Sequence, residues 1–230
     1  MTETSTEGVA LTSEGLTLEG VLHRPTGDRF PAAIVCHPHP LYGGDMSNYV
    51  VTAICQALAE AGIAALRFNY RGVGRSEGSF GDGVGERNDA RAALAYLRHL
   101  PEVDETKVGV IGYSFGAGVA VAGADEQTAA VVAISTPTFG RGLPDLAFRC
   151  PTTLISGEQD QVAPPGRLAA LAQAIGPACQ VAIVRGADHF WWGQENKLAE
   201  EVARFLQRAL MGEGQPSPQT DPPEHGEAAP

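Results

Sequence analysis

A chain of 230 residues, 43% hydrophobic and 19% charged, has the length and apolar content of one globular domain. A formal charge of −11 and a pI near 4.9 exclude a surface built to neutralise phosphates, so neither nucleic acid nor an anionic membrane is expected as a partner. The opening "MTETSTEGVA" has no basic or apolar leader, and no window approaches the roughly 20 apolar residues of a membrane span, so a cytoplasmic protein is expected. Cys36, Cys55, Cys150 and Cys179 lie far apart without a CxxC pair, which predicts reduced, buried thiols rather than a disulfide framework.

In chain order, residues 1–7 read as a flexible N-terminus, 8–211 as the folded domain, and 212–230 as a disordered, acidic, Pro-rich tail. "VALTS" and "LTLEGVLHRP" alternate apolar and polar residues around Glu14-Gly15, the pattern of a half-solvated hairpin. Six nearly continuous apolar runs follow: "PAAIVCHP", "IAALRFNY", "KVGVIGYS", "AAVVAIST", "CPTTLISG" and "CQVAIVRG". Such runs are expected for strands covered on both faces. Helical patterns lie between them near 47–61, 86–99, 115–124, 164–175 and 196–210. In the last, Leu198, Val202, Phe205, Leu206 and Ala209 fall on one face before a stop at Gly212. Strand and helix alternate, so the fold class is α/β: a mostly parallel central sheet with helices on both faces and an antiparallel N-terminal hairpin.

In such sheets chemistry gathers at the carboxyl ends of the strands. Ser114 ends "KVGVIGY" and begins "FGAGVAVAG", with Gly112 and Gly116 two residues to either side. A strand that turns directly into a helix forces its corner residue into strained backbone, and neighbours without side chains relieve the crowding. This is a G-x-S-x-G elbow, which holds a serine hydroxyl out of the sheet and sets the Phe115 amide at a helix N-terminus, ready to donate to an oxyanion. A serine nucleophile needs a base, and the base needs an orienting acid. His189 in "VRGADHFWWG" and Asp160 in "ISGEQDQVAPP" stand after the last two strands; Glu158 in the same loop is expected to brace it. The catalytic candidates are therefore Ser114, Asp160 and His189.

The segments "IVCHPHPLYGGDMSN", "LRFNYRGVGRSEG", "VIGYSFGAG", "ISGEQDQVAPP" and "GADHFWWG", in that order over about residues 15–210, resemble the α/β-hydrolase superfamily. Within it the chain is similar to compact, lid-less bacterial carboxylesterases and dienelactone-hydrolase-like proteins. The resemblance implies an eight-stranded-type sheet, a serine nucleophile and no cofactor. It also implies an oxyanion donor in the "HPHP" loop: Pro40 stands where the family has glycine and has no N–H, so the match points to Leu41. His37 and His39 form an HxH pair without a nearby third ligand, so no metal is expected, and at least one of the two should hydrogen-bond loop backbone.

"NYRGVGRSEG" spaces its glycines one residue too widely for a dinucleotide fingerprint, and a structural role is expected for Arg71 and Ser76. Only residues 136–149 separate two consecutive strands, too few for a helical cap domain, so the site should be open and shallow. Tyr42, Trp191 and Trp192 are candidate apolar walls for substrate, although one tryptophan could equally pack the final helix onto the sheet. The expected activity is hydrolysis of small to medium uncharged carboxylic esters, a small-molecule substrate, through an acyl-enzyme on Ser114. Lactones, thioesters and small amides suit the same three residues, and a catalytically silent ligand-binding module is the alternative of another class. The physiological ester and the oligomeric state are not written in the sequence.

Overall fold

The computed structural model of the chain describes residues 4–137 and 150–212. Eight strands form one sheet: β1 (Ser5–Ser13), β2 (Leu16–Arg24), β3 (Phe30–Cys36), β4 (Ala64–Phe68), β5 (Val103–Tyr113), β6 (Ala130–Ile134), β7 (Thr152–Gly157) and β8 (Cys179–Val184). Their order is β1-β2-β4-β3-β5-β6-β7-β8. β1 and β2 pair antiparallel, β2 runs antiparallel to β4, and every pair from β4–β3 onward is parallel. The hairpin turns at Glu14 and Gly15, whose φ of 51° and 84° give the doubly left-handed turn that matches strand twist. β1 begins at Ser5, inside the stretch expected to be loose. Its first residues, "STEG", are exposed, which is why their composition reads as a tail although the backbone is paired through to Arg24.

The connections are α1 (Tyr49–Glu60), α2 (Val84–Arg98), α3 (Phe115–Gly123), α4 (Leu168–Ile175) and α5 (Glu195–Leu206), the last continuing as a wider turn to Met211 and stopping at left-handed Gly212. Strand alternation divides the core in two. Ile34, Leu66, Val110, Val131 and Leu154 face α2, α3 and α4; Val35, Ala65, Ile111, Val132 and Ile155 face α1 and α5. The expected α5 stripe is buried at Leu198, Val202, Phe205 and Leu206.

The expectation of two covered faces holds from β3 to β7 and fails at β8. With a neighbour on one side only, β8 leaves Val181 and Ile183 partly exposed. Cys36 and Cys55 are buried, and burial pushes both thiols up to about 12; Cys150 and Cys179 are only partly covered. Among the described residues no helix is long and apolar enough to cross a membrane. Residues 1–3, 138–149 and 213–230 lie outside the described residues, including most of the short connection read as too small for a cap and nearly all of the tail.

The sheet order reverses at β3. From there β4 is added on one side and β5 on the other, so the loops after β3 and β5 part and leave a crevice at the carboxyl ends. The functional candidates gather above that crevice.

Candidate active site

Ser114 links β5 to α3 in one residue, with φ 55° and ψ −119°. Its N–H is tied to the Ile134 carbonyl at 2.9 Å and its carbonyl to the Ala117 N–H at 2.9 Å, so neighbouring elements hold the strained corner from both sides. Gly112 and Gly116 are required by proximity. A Cβ on Gly112 would lie 2.0 Å from the Gly116 carbonyl oxygen, and one on Gly116 would lie 2.3 Å from the Cys36 carbonyl oxygen.

The structure brings the three separated candidates together. Ser114 Oγ is 3.0 Å from His189 Nε2, and His189 Nδ1 is 3.0 Å from Asp160 Oδ2. Asp160 is buried, and burial alone would raise its pKa; hydrogen bonds from His189 and the Ala163 N–H outweigh that and hold it below the usual carboxylate range. Asp160 Oδ1 also accepts the Val162 N–H at 2.9 Å and the Ala163 N–H at 2.7 Å, so the loop after β7 wraps around its own carboxylate. Glu158 braces that loop through Gly186 N–H at 3.0 Å. The His189 loop is stapled at its carbonyl by Tyr113 Oη at 2.8 Å, and Asp188 accepts the Phe190 and Trp191 N–H groups at 2.9 Å each.

Ser114 and His189 open onto a cleft of about 740 Å³. Its described lining includes His39, Tyr42, Tyr49, Phe115, Phe190 and Trp192, and it contains no Asp, Glu, Lys or Arg. Tyr42 and Trp192 are thus on the cleft, 88% and 70% exposed, as their positions suggested. Trp192 stacks on Tyr49, ring centroids 4.9 Å apart at 19°, and Tyr49 Oη donates to the Phe190 carbonyl. Asn48, Tyr49 and Phe190 escaped the sequence reading. Asn48 carries the one usable signal, as the residue that caps α1 by accepting the Val50 N–H at 3.0 Å.

Two assignments need correction. Trp191 is no substrate wall: it is fully buried against α5, and its indole N–H donates to Ser135 Oγ at 3.1 Å. Its left-handed backbone, φ 61°, turns the side chain into the core while Trp192 points out. The Leu41 amide is not aimed at the cleft. Pro40 opens a short 3₁₀ turn capped by His39, whose Nδ1 accepts the Leu41 N–H at 3.2 Å, and Leu41 lines a neighbouring hollow instead. The Phe115 N–H, first in α3, has no backbone acceptor among the described residues.

His37 is spent on backbone, its Nδ1 2.7 Å from the Pro38 carbonyl and its Nε2 accepting the Tyr70 N–H at 3.3 Å. Burial drives its pKa down to about 4. Arg71 grips Asp89 and Glu14, while Ser76 bonds the Asn69 carbonyl and the Glu19 N–H, a structural use of both.

A serine elbow at the switch point of an eight-stranded, mostly parallel sheet defines the α/β-hydrolase class. The chain belongs to that superfamily and to the family described as X-Pro dipeptidyl-peptidase (S15 family), which residues 14–140 match. An uncharacterized Rickettsia prowazekii protein is 31% identical over 200 residues, 82% of this chain and 84% of that protein. An α/β serine hydrolase homologue from Coxiella burnetii is similar at 34% identity and TM-score 0.78, covering 89% of this chain and 97% of the other. A lid-less α/β serine hydrolase from Xanthomonas campestris is similar at 28% identity and TM-score 0.80, covering 92% and 97%. In further curated relatives the matched stretch spans between 41% and 54% of their length.

Proposed function

We propose that the protein is a serine carboxylesterase of small to medium uncharged esters, acting through an acyl-enzyme on Ser114. The observation that carries this is the unbroken line from Ser114 Oγ to His189 to Asp160, opening on a largely apolar cleft whose described lining holds no Asp, Glu, Lys or Arg. His189 Nε2 takes the Ser114 proton as Oγ attacks the ester carbonyl, then returns it to the departing alcohol; Asp160 stabilises the imidazolium formed between. Water, deprotonated by the same imidazole, releases the acid.

The oxyanion is assigned to the N–H groups of Phe115 and His39. His39 replaces Leu41 in this role because it lines the cleft beside Phe115, ring centroids 4.6 Å apart, and its N–H has no partner among the described residues. The preceding Pro38 has no N–H to offer.

The absence of charge in the described lining also bears on substrate class. A dipeptidyl-peptidase must hold the ammonium of a free N-terminus, which needs a buried or partly buried carboxylate partner. No Asp or Glu is among the described residues of this cleft, which favours an uncharged ester. The test is the initial rate on p-nitrophenyl esters of increasing acyl length, for wild type and Ser114→Ala. Activity peaking at short to medium chains and falling by about 10⁴-fold or more in the variant is expected. Hydrolysis that persists in the variant, or none in the wild type, would refute it.

A further inference from the structure

Arg24, Arg71, Arg75 and Arg98 each meet a carboxylate, whereas Arg67 forms no ion pair among the described residues. Arg67 stands partly buried near the end of β4, between Val21 of β2 and Val35 of β3. Its Nε donates to His23 Nε2 at 2.9 Å and its Nη1 to the Met46 carbonyl at 3.1 Å. A guanidinium only donates, so His23 Nε2 is the acceptor and carries no proton. The charge of Arg67 is thus spent on a neutral ring and on the backbone of another loop. The amide side of Met46 is held as well: its N–H donates to Asn69 Oδ1 at 2.8 Å. Asn69 is buried, its Nδ2 donates to Glu19 Oε1 at 2.8 Å, and its carbonyl accepts Ser76 Oγ at 2.8 Å. Two side chains from the end of β4 therefore fix Met46 at both its N–H and its carbonyl.

Met46 lies two residues beyond Gly44, and Gly44 is pressed against the site. Its N–H donates to the His39 carbonyl at 3.0 Å, and a Cβ on it would lie only 2.2 Å from the Pro38 carbonyl oxygen. The Pro38 carbonyl and the His39 N–H belong to one planar peptide, so whatever sets the carbonyl also sets the direction of the N–H. That N–H is the one assigned above to the oxyanion. Pro38, His39 and Gly44 all line the cleft, as does Asn48 on the far side of Met46.

We propose that Arg67 and Asn69 are positioning residues for the oxyanion: by holding Met46 from both sides they keep Gly44 against the Pro38–His39 peptide and the His39 N–H aimed at the cleft. This rests on the reading of Ser114 and of the His39 amide given above. Neither side chain lines the cleft, so both act through the backbone they hold. The strand between the hairpin and β3 thereby reaches the reacting centre without contributing a group to it.

The experiment uses the full chain carrying Arg67→Met, Arg67→Lys or Asn69→Ala, with folding checked by circular dichroism and rates taken well below each thermal midpoint. kcat and KM are measured on p-nitrophenyl butyrate, and the rate at which a fluorophosphonate labels Ser114 is measured beside them. An oxyanion exists only in the transition state, so a misaimed donor lowers kcat and not binding. In Arg67→Met and Asn69→Ala, kcat and the labelling rate should fall together by about 10- to 100-fold with KM nearly unchanged. Arg67→Lys, which keeps a donor within reach of the Met46 carbonyl, should recover most of the loss. A purely structural pair would lower the thermal midpoint and leave both rates in place. Folded Arg67→Met or Asn69→Ala with wild-type kcat and labelling rate overturns the proposal, as does failure of all three variants to fold. A wild type that hydrolyses no ester but is labelled at Ser114 would defeat the esterase reading, and the labelling rates would still decide the roles of Arg67 and Asn69. A wild type that is neither active nor labelled would overturn both, since there is then no oxyanion for the loop to serve.

Discussion

The loop after β3 and the loop after β8 carry the same kinds of residue to the same end of the sheet and put them to opposite use. The first holds His37, His39 and Tyr42; the second holds His189, Phe190, Trp191 and Trp192. In the β3 loop both ring nitrogens of His37 go to backbone, and His39 Nδ1 closes a 3₁₀ turn. In the β8 loop the backbone needs are met by Asp188 and Tyr113, which leaves both His189 nitrogens for Asp160 and Ser114. A histidine is available for chemistry when other groups have already satisfied its surroundings. Residue type and position at a strand end do not by themselves say which loop does so.

One substitution applied to both loops gives the sharpest contrast. His189→Gln keeps a polar side chain and removes the proposed base, so kcat should fall by about 10⁴-fold or more while thermal midpoint changes little. His37→Gln should leave kcat within a few-fold of wild type, because His37 does not line the cleft. Equal loss of kcat in the two variants would break the comparison and place His37 in the catalytic machinery.

What His37 changes is stability rather than rate, and the pH dependence of that stability has a definite sign. The unfolded His37 takes up a proton at about pH 6.5 and the folded one only at about 4. Between those values the unfolded chain binds more protons, so stability falls as pH drops from about 6.5 to about 4 and the loss levels off below. The gap corresponds to about 3 kcal/mol for a residue this buried. His23, also depressed to about 4 by burial, adds to the same window. Urea denaturation at pH 7, 5.5 and 4.5 should therefore show a gentler acid slope in His37→Gln than in wild type. An identical slope would mean His37 does not stay neutral through the window.

Most of the architecture was legible because burial on two sheet faces writes itself as short apolar runs, and because the elbow needs small residues at fixed spacing around Ser114. Asp160 and His189 were legible from position, each following a strand. The remaining details depend on backbone angles that hydropathy does not encode. Whether Leu41 or His39 offers a free amide is decided by the turn that Pro40 opens and His39 caps. The start of β1 is a further case, since an exposed edge strand and a loose tail have the same polar composition.

Trp191 and Trp192 carry the comparison to its smallest scale, within one loop. Adjacent identical residues cannot be told apart by composition, and the left-handed turn at Trp191 sends one inward and the other onto the cleft. Trp192 is 70% exposed and rests on Tyr49 by a stacking contact, an interaction of about 0.5–1.5 kcal/mol. Trp192→Ala should therefore shift the thermal midpoint by only a few degrees. Its effect on catalysis should appear as a few-fold rise in KM that grows with acyl length, at nearly constant kcat, because a wall binds substrate and transition state alike. A change in kcat with KM constant across the ester series would contradict that role. It would mean that the stack on Tyr49, whose hydroxyl is bonded to the Phe190 carbonyl, holds the His189 loop in register.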